Sequence, residues 1–124
     1  MTTAFWCVLA ATVLPYVWST LSKVGQQYDN ALPRAGEYGG WQRRANWAQQ
    51  NAWEAFAPFA AAVLIAHWLK TPQSTVDLLA LLFIGFRIAH GIAYVADYPK
   101  SRSLMWVGGI GCVIALYVVA ARAA

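Results

Sequence analysis

Long apolar segments occupy most of this chain and restrict it to a membrane fold. Four can be drawn, at Thr3–Leu21, Ala45–Trp68, Asp77–Tyr98 and Ser103–Ala121. Each is close to or above the roughly 20 residues that a helix needs to cross the bilayer. Hydrophobic residues make up 60% of the sequence and charged residues 11%, which excludes an ordinary soluble domain. We therefore predict an all-α integral membrane four-helix bundle, with residues 1–124 forming one domain and the first segment retained as a helix.

The basic residues indicate how the chain is oriented in the membrane. With four spans, the loops after the first and third helices lie on one side. That side carries Lys23, Arg34, Arg43, Arg44, Lys100 and Arg102, and the other side has only Lys70 and Arg122. By the positive-inside rule the first side is cytoplasmic and both termini lie opposite. The asymmetry also accounts for the net charge of +4, and no exposed basic tract predicts a nucleic-acid partner.

Polar side chains within the second and third segments point to a binding site. The second segment contains Asn51 and Glu54, and the third contains Arg87, His90 and Tyr94. An ionised group at mid-membrane costs roughly 3 kcal/mol even on a lenient insertion scale, so such residues are functional candidates. If the two helices are antiparallel, a rise of about 1.5 Å per residue places both sets at overlapping depths. Since each set also lies on one side of its helix, we expect a pocket that opens to the cytoplasm.

The charges around this pocket restrict what it can bind. Arg44, Lys100 and Arg102 lie toward the same membrane face, so cations outnumber the one carboxylate, Glu54. A simpler interpretation is that Glu54 and Arg87 only neutralise one another and fix the helix register. The surplus of cations instead favours a zwitterionic ligand with more than one carboxylate. The two cysteines show no metal-ligand spacing, so the sequence predicts no metal site.

Two motifs carry a resemblance to a known family. The run at 43–59, RRANWAQQNAWEAFAPF, contains an Asn-x-x-Glu-x-x-x-Pro-Phe pattern. The run at 87–103, RIAHGIAYVADYPKSRS, contains Arg-x-x-His-x-x-x-Tyr followed by Arg-Ser. In these motifs, and in length, helix count and motif order, the whole chain resembles the MAPEG family, the membrane-associated proteins in eicosanoid and glutathione metabolism. That family includes the microsomal glutathione transferases, the microsomal prostaglandin E synthase and the leukotriene C synthase.

The resemblance implies a homotrimer that binds glutathione at the cytoplasmic end of each subunit interface. Arg102 matches the arginine thought to stabilise the glutathione thiolate, and it is the predicted catalytic residue. Many members have an arginine where this chain has Trp47. Arg44, seven residues before Asn51 and about 20° away from it around the same helix, could reach the same ligand. The predicted glutathione-binding residues are Lys23, Arg44, Asn51, Glu54, Arg87, His90, Tyr94 and Ser103.

These features together predict a membrane glutathione transferase of detoxification, with peroxidase activity as a further expectation. Its second substrate would be a lipophilic small molecule that enters from the lipid bilayer, here a bacterial inner membrane. Two alternatives stay open. One is a family member that binds glutathione, or regulates a partner, without catalysis. The other is a small multidrug transporter, although such transporters place their membrane carboxylate in the first helix, where this chain has no acidic residue.

Overall fold

Four helices make up the part of the protein that the structure describes. The computed structural model describes residues 1–36 and 38–124. The helices are α1 (Thr3–Ser22), α2 (Gly40–Trp68), α3 (Gln73–Val95) and α4 (Pro99–Ala123). The predicted all-helical four-helix chain is thereby confirmed. At one end of the bundle α1 and α3 end and α2 and α4 begin. This end, here called the basic end, carries Lys23, Arg43, Arg44, Lys100 and Arg102.

Hydrogen bonds at both ends fix the antiparallel order. At the basic end, the Gln42 side chain donates to the carbonyl of Val24 at 3.3 Å, which ties the start of α2 to the end of α1. At the opposite end, the backbone N–H of Ala4 donates to the carboxylate of Asp77 at 2.8 Å. A carboxylate at the start of a helix is favourable because the exposed N–H groups there carry partial positive charge. Asp77 of α3 thus holds the first turn of α1.

Among the described residues, three helices are long and apolar enough to cross a membrane, namely α1, α3 and α4. Helix α2 is longer, at 29 residues, but its half nearer the basic end carries Arg43, Arg44 and Glu54. The prediction of four segments apolar enough to cross a membrane is therefore confirmed for α1, α3 and α4. For α2 it is wrong, because that helix is too polar to meet the same criterion. The polar half of α2 is also the half that contributes to the candidate site.

Four of the helix boundaries, the starts of α2, α3 and α4 and the end of α3, differ from the predicted ones by three to five residues, and the others agree within two. Helix α2 begins at Gly40 rather than at Ala45, and α3 ends at Val95 rather than at Tyr98. Helix α4 begins at Pro99, in the segment expected to be a loop. Proline suits the first position of a helix because no N–H is needed there.

A short turn between α3 and α4 decides where the fourth helix starts. Asp97 adopts a left-handed backbone conformation with a φ of 63°, and the N–H of Tyr98 donates to the carbonyl of Ala93 at 2.8 Å. This arrangement ends a helix by satisfying its last carbonyl groups. As a result Arg102 lies within the first turn of α4, whereas the predicted segment begins one residue after it, at Ser103.

The core lies between α2 and α3, with α1 on one side and α4 on the other. Phe59 and Phe83 stack at its centre, with 3.9 Å between their ring centroids. Trp18 packs against Gly91, where an added methyl group would collide with the indole ring. Trp18 lies near a helix end, where tryptophans commonly face the membrane–water interface, but its side chain is buried and only 7% exposed. Close approach at a glycine is a common way for membrane helices to pack.

Candidate functional site

Asn51 connects the charged side chains of α2 and α3. Its side-chain oxygen accepts a hydrogen bond from Nη2 of Arg87 at 2.7 Å. Its side-chain nitrogen donates to Oε2 of Glu54 at 3.4 Å. Arg87 is 4% exposed, whereas Glu54 lies on the surface of the single subunit. The guanidinium and the carboxylate are thus linked through Asn51, and the direct pairing considered from the sequence is replaced by a chain of three residues.

A second group of side chains lies around the Tyr94 ring, nearer the basic end. The guanidinium carbon of Arg102 lies 4.5 Å from the centre of the Tyr94 ring. The His90 ring meets Tyr94 edge-on, with centroids 5.6 Å apart, and Trp47 lies beyond at 6.4 Å. A cation above an aromatic face is attracted by the electrons of the ring. The Tyr94 ring of α3 therefore holds the guanidinium of Arg102, which belongs to α4.

Two buried nitrogen atoms in this region lack a hydrogen-bond partner within the part of the chain that the structure describes. They are Nε of Arg87 and Nδ1 of His90, in side chains that are 4% and 3% exposed. Buried polar atoms in proteins nearly always have a partner. A guanidinium with a free N–H is a strong donor to a carboxylate. The donor set therefore fits an anionic ligand.

Three adjoining hollows surround Asn51, which lines all of them. The polar hollow, of about 290 Å³, lies at His90, Tyr94, Arg102, Ser103 and Trp106. The side hollow, of about 360 Å³, is lined by Trp47, Gln50, Glu54 and Tyr94. The apolar hollow, of about 160 Å³, reaches past Arg87 to Pro58, Phe83, Ile110 and Val113. The structure thus brings seven of the predicted residues together: Asn51, Glu54, Arg87, His90, Tyr94, Arg102 and Ser103.

The other two predicted residues, Lys23 and Arg44, make contacts elsewhere. The Lys23 ammonium lies 4.6 Å from the centre of the Tyr28 ring and lines a separate hollow formed by the loop after α1. Nε of Arg44 donates to the carbonyl of Val95 at 3.1 Å, at the last residue of α3. In the single subunit Arg44 therefore caps a helix, and it does not occupy the place of the arginine that Trp47 replaces.

Sequence reasoning missed several residues that line the hollows. Trp106, near the start of the fourth predicted segment, lines both the polar and the apolar hollow. A signal was available, because Trp106 follows Arg102 by four residues and shares its side of α4. Gln50 and Ile110 gave no such signal, since an isolated amide or aliphatic residue in a membrane helix has no distinctive spacing.

Fold and site define a class of protein: an integral membrane bundle of four helices with a cationic pocket toward one end. A family model narrows the class, because the MAPEG family model matches residues 3–122 of the chain. The protein belongs to the MAPEG family, and the resemblance seen in its motifs is confirmed. No curated protein and no solved structure matched the chain.

Proposed function

We propose that this protein is a membrane-bound glutathione transferase that holds glutathione as a thiolate and joins it to a lipophilic electrophile. The MAPEG family includes glutathione transferases and related enzymes, and its members use glutathione as a substrate. One observation carries the proposal for this chain. The buried guanidinium of Arg87, with Nε unpartnered, lies with Arg102 and Glu54 around hollows that share Asn51.

The binding groups match the charges of glutathione. Glutathione has two carboxylates, one ammonium and a thiol. Arginine binds carboxylates through paired, charge-assisted hydrogen bonds, which suits Arg87. Glu54, whose carboxylate already accepts from Asn51, keeps acceptor capacity for the ammonium. His90 and Ser103 line the polar hollow and complete the polar lining.

Arg102 is placed to favour the thiolate. A free thiol has a pKa of about 8.5, so it is mostly protonated at neutral pH. A guanidinium nearby and the N-terminal turn of a helix both stabilise negative charge on sulfur. Arg102 supplies the guanidinium, which is held above Tyr94, and it lies in the first turn of α4, so the N-terminus of that helix is close by. With a haloarene, the new carbon–sulfur bond would form as the halide leaves with its bonding electrons, the thiol proton passing to water.

The proposal includes a homotrimer with the site at a subunit boundary, facing the cytoplasm. Glu54 lies at the middle of α2 and is exposed in the single subunit. An ionised carboxylate facing lipid would cost roughly 3 kcal/mol, so a neighbouring copy that covers the hollows would remove that cost. The basic end determines the side of the membrane through the positive-inside rule.

A second candidate is a protein that binds glutathione without turnover. The observation that favours it is the placement of Arg44 and Lys23, which leaves the polar hollow with fewer cations than the motifs predict. Trp47 adds to this, because it stands where many members have an arginine.

An assay of the purified protein with glutathione distinguishes a transferase from a protein that binds glutathione without turnover. The electrophiles are a chlorodinitrobenzene and a lipid hydroperoxide, and glutathione binding is measured separately by calorimetry. We expect binding together with conjugation of the chlorodinitrobenzene. Binding with no turnover of either compound identifies the second candidate, and absence of binding contradicts both.

A further inference from the structure

We propose that Trp47 sets the thiol specificity of this site, which selects a glutathione whose glycine carboxylate is masked as an amide or an ester. The inference rests on the proposed function, because it concerns the thiol substrate of the same site. Trp47 lies on the side of α2 that also carries Asn51 and Glu54, at spacings of four and seven residues. It lines the side hollow together with Gln50, Asn51, Glu54 and Tyr94.

Two arginines supply the positive charge among the described residues that line the three hollows. Arg87 lines the apolar hollow and Arg102 lines the polar hollow. The other cations predicted for the site have different surroundings. Arg44 donates to a carbonyl at the end of α3, and Lys23 lines the separate hollow of the loop after α1. A single subunit therefore offers two guanidinium groups to a ligand in the three hollows.

The side hollow combines a carboxylate with aromatic rings and has no cation among its described residues. Its carboxylate is Glu54, and the rings of Trp47 and Tyr94 have centroids 6.4 Å apart. An aromatic face attracts a cation because the ring carries negative charge there, and it disfavours an anion for the same reason. A ligand carboxylate in this hollow would lose hydration, share the space with Glu54 and meet no opposite charge. A neutral amide avoids that penalty, and the side-chain amide of Gln50 can bond it.

Bound glutathione would bring one more anion than these two arginines can pair. Its α-carboxylate and α-ammonium share one carbon atom, which suits the Arg87 guanidinium and the Glu54 carboxylate that Asn51 links. With the thiolate at Arg102, the glycine carboxylate is left without a cation. Trp47 lies roughly 10 Å from Glu54 along α2, and an extended tripeptide spans about that distance. Since an unpaired charge discriminates against a ligand, masking the glycine carboxylate should favour binding.

The first experiment compares glutathione with its glycine amide by calorimetry on the detergent-solubilised oligomer at pH 7. The parent should bind the amide as tightly as glutathione or more tightly. Trp47→Arg supplies the missing cation and should shift the ratio of the two affinities toward the free acid by about tenfold, the scale of a hydrogen bond to a charged group. Trp47→Gln is the matched control, because it removes the indole without adding charge, and its ratio should stay within about twofold of the parental one. Trp47 is 45% exposed, so both variants should fold.

The second experiment measures conjugation of a chlorodinitrobenzene with the same two thiols. The shift caused by Trp47→Arg should lie mainly in the KM for the thiol, and it should shrink at high ionic strength because salt screens a partly exposed pair. A parent that prefers the free acid by more than about threefold would overturn the inference, since a neighbouring subunit would then supply the cation. An unchanged ratio in Trp47→Arg would overturn it as well. The expected binding ratios without conjugation would reject the proposed transferase activity alone, and no binding of either thiol would reject both.

Discussion

At the scale of single residues, Arg87 is a buried charge with an unmet hydrogen-bonding group. It is charged and 4% exposed, it bonds Asn51 through Nη2, and its Nε lacks a partner among the described residues. A buried charge is costly unless it is paired and fully hydrogen-bonded. Both a bound carboxylate and a neighbouring subunit can complete its interactions, and the next prediction concerns the ligand.

Glu54→Gln is expected to weaken glutathione binding by roughly tenfold or more, because a hydrogen bond to a charged group contributes about 1.5–3 kcal/mol. Glu54 is exposed in the single subunit, so the variant should still fold and assemble. Calorimetry on the intact oligomer measures the change. Asp97→Asn is the matched control, since Asp97 is an exposed carboxylate in the α3–α4 turn, away from the hollows. Parental affinity in Glu54→Gln would show that the role assigned to Glu54 is wrong.

The ring of Tyr94, rather than its hydroxyl group, is expected to position Arg102. The guanidinium lies over the ring, and phenylalanine preserves that attraction while leucine removes it. Tyr94→Phe should therefore retain most of the bound-thiolate absorbance, and Tyr94→Leu should lose most of it. Ultraviolet difference spectra at saturating glutathione make the comparison. If both variants behave alike, the stacking does not position Arg102.

The periodicity of the helix made much of this site predictable. Residues 87, 90 and 94 share one side of α3, and residues 51 and 54 one side of α2, wherever the helix ends fall. The partner of Arg44 was not predictable in that way. It bonds the carbonyl of Val95 because α3 ends there, and that end depends on the left-handed conformation of Asp97. Spacing alone does not specify such a tertiary contact.

At the scale of helices, length and hydropathy predicted the number and order of the elements. The boundaries were less predictable, since a proline can end one segment or begin the next, and Pro99 begins α4. The burial of Trp18 depends on Gly91, which lies far away in the sequence. A tryptophan near a helix end looks the same in the sequence whether it faces lipid headgroups or a glycine of another helix.

Gly91→Ala is expected to destabilise the bundle by about 1–3 kcal/mol, the usual cost of overpacking a core. The added methyl group would collide with the Trp18 ring. Gly85→Ala in the same helix is the control, because no atom lies within 4 Å of a methyl group there. Unfolding of the detergent-solubilised protein by a denaturing detergent gives the comparison. Trp18→Phe should recover part of the loss, and equal stability of the two glycine variants would argue against the packing.

At the scale of the whole molecule, the hollows open on a surface that a single subunit leaves uncovered. Trp106 is 46% exposed and Glu54 is exposed beside it on the wall of the apolar hollow. A symmetric oligomer presents the same surface to each neighbour, so one interface would cover every copy of the site. We expect a trimer.

Native mass spectrometry in mild detergent should give the mass of three chains. Cysteines introduced at positions 24–36, in the loop after α1, should react with impermeant reagents only from the cytoplasmic side. Native Cys7 and Cys112 are both buried and would contribute little background. A monomeric mass, or labelling of the loop from the outer side, would contradict the proposed assembly and orientation.

The most direct measurement of the central proposal is the pH dependence of bound-thiolate absorbance in the parent, Arg102→Leu and Arg102→Lys. If the Arg102 guanidinium stabilises the thiolate, the parent should form it well below the pKa of about 8.5 of a free thiol. Arg102→Leu should keep much of the glutathione affinity while the transition moves toward the free-thiol value and turnover falls. Arg102→Lys should restore part of both, because the positive charge is retained. Full thiolate signal and full turnover in Arg102→Leu would contradict the account and leave Arg102 as a membrane-surface anchor.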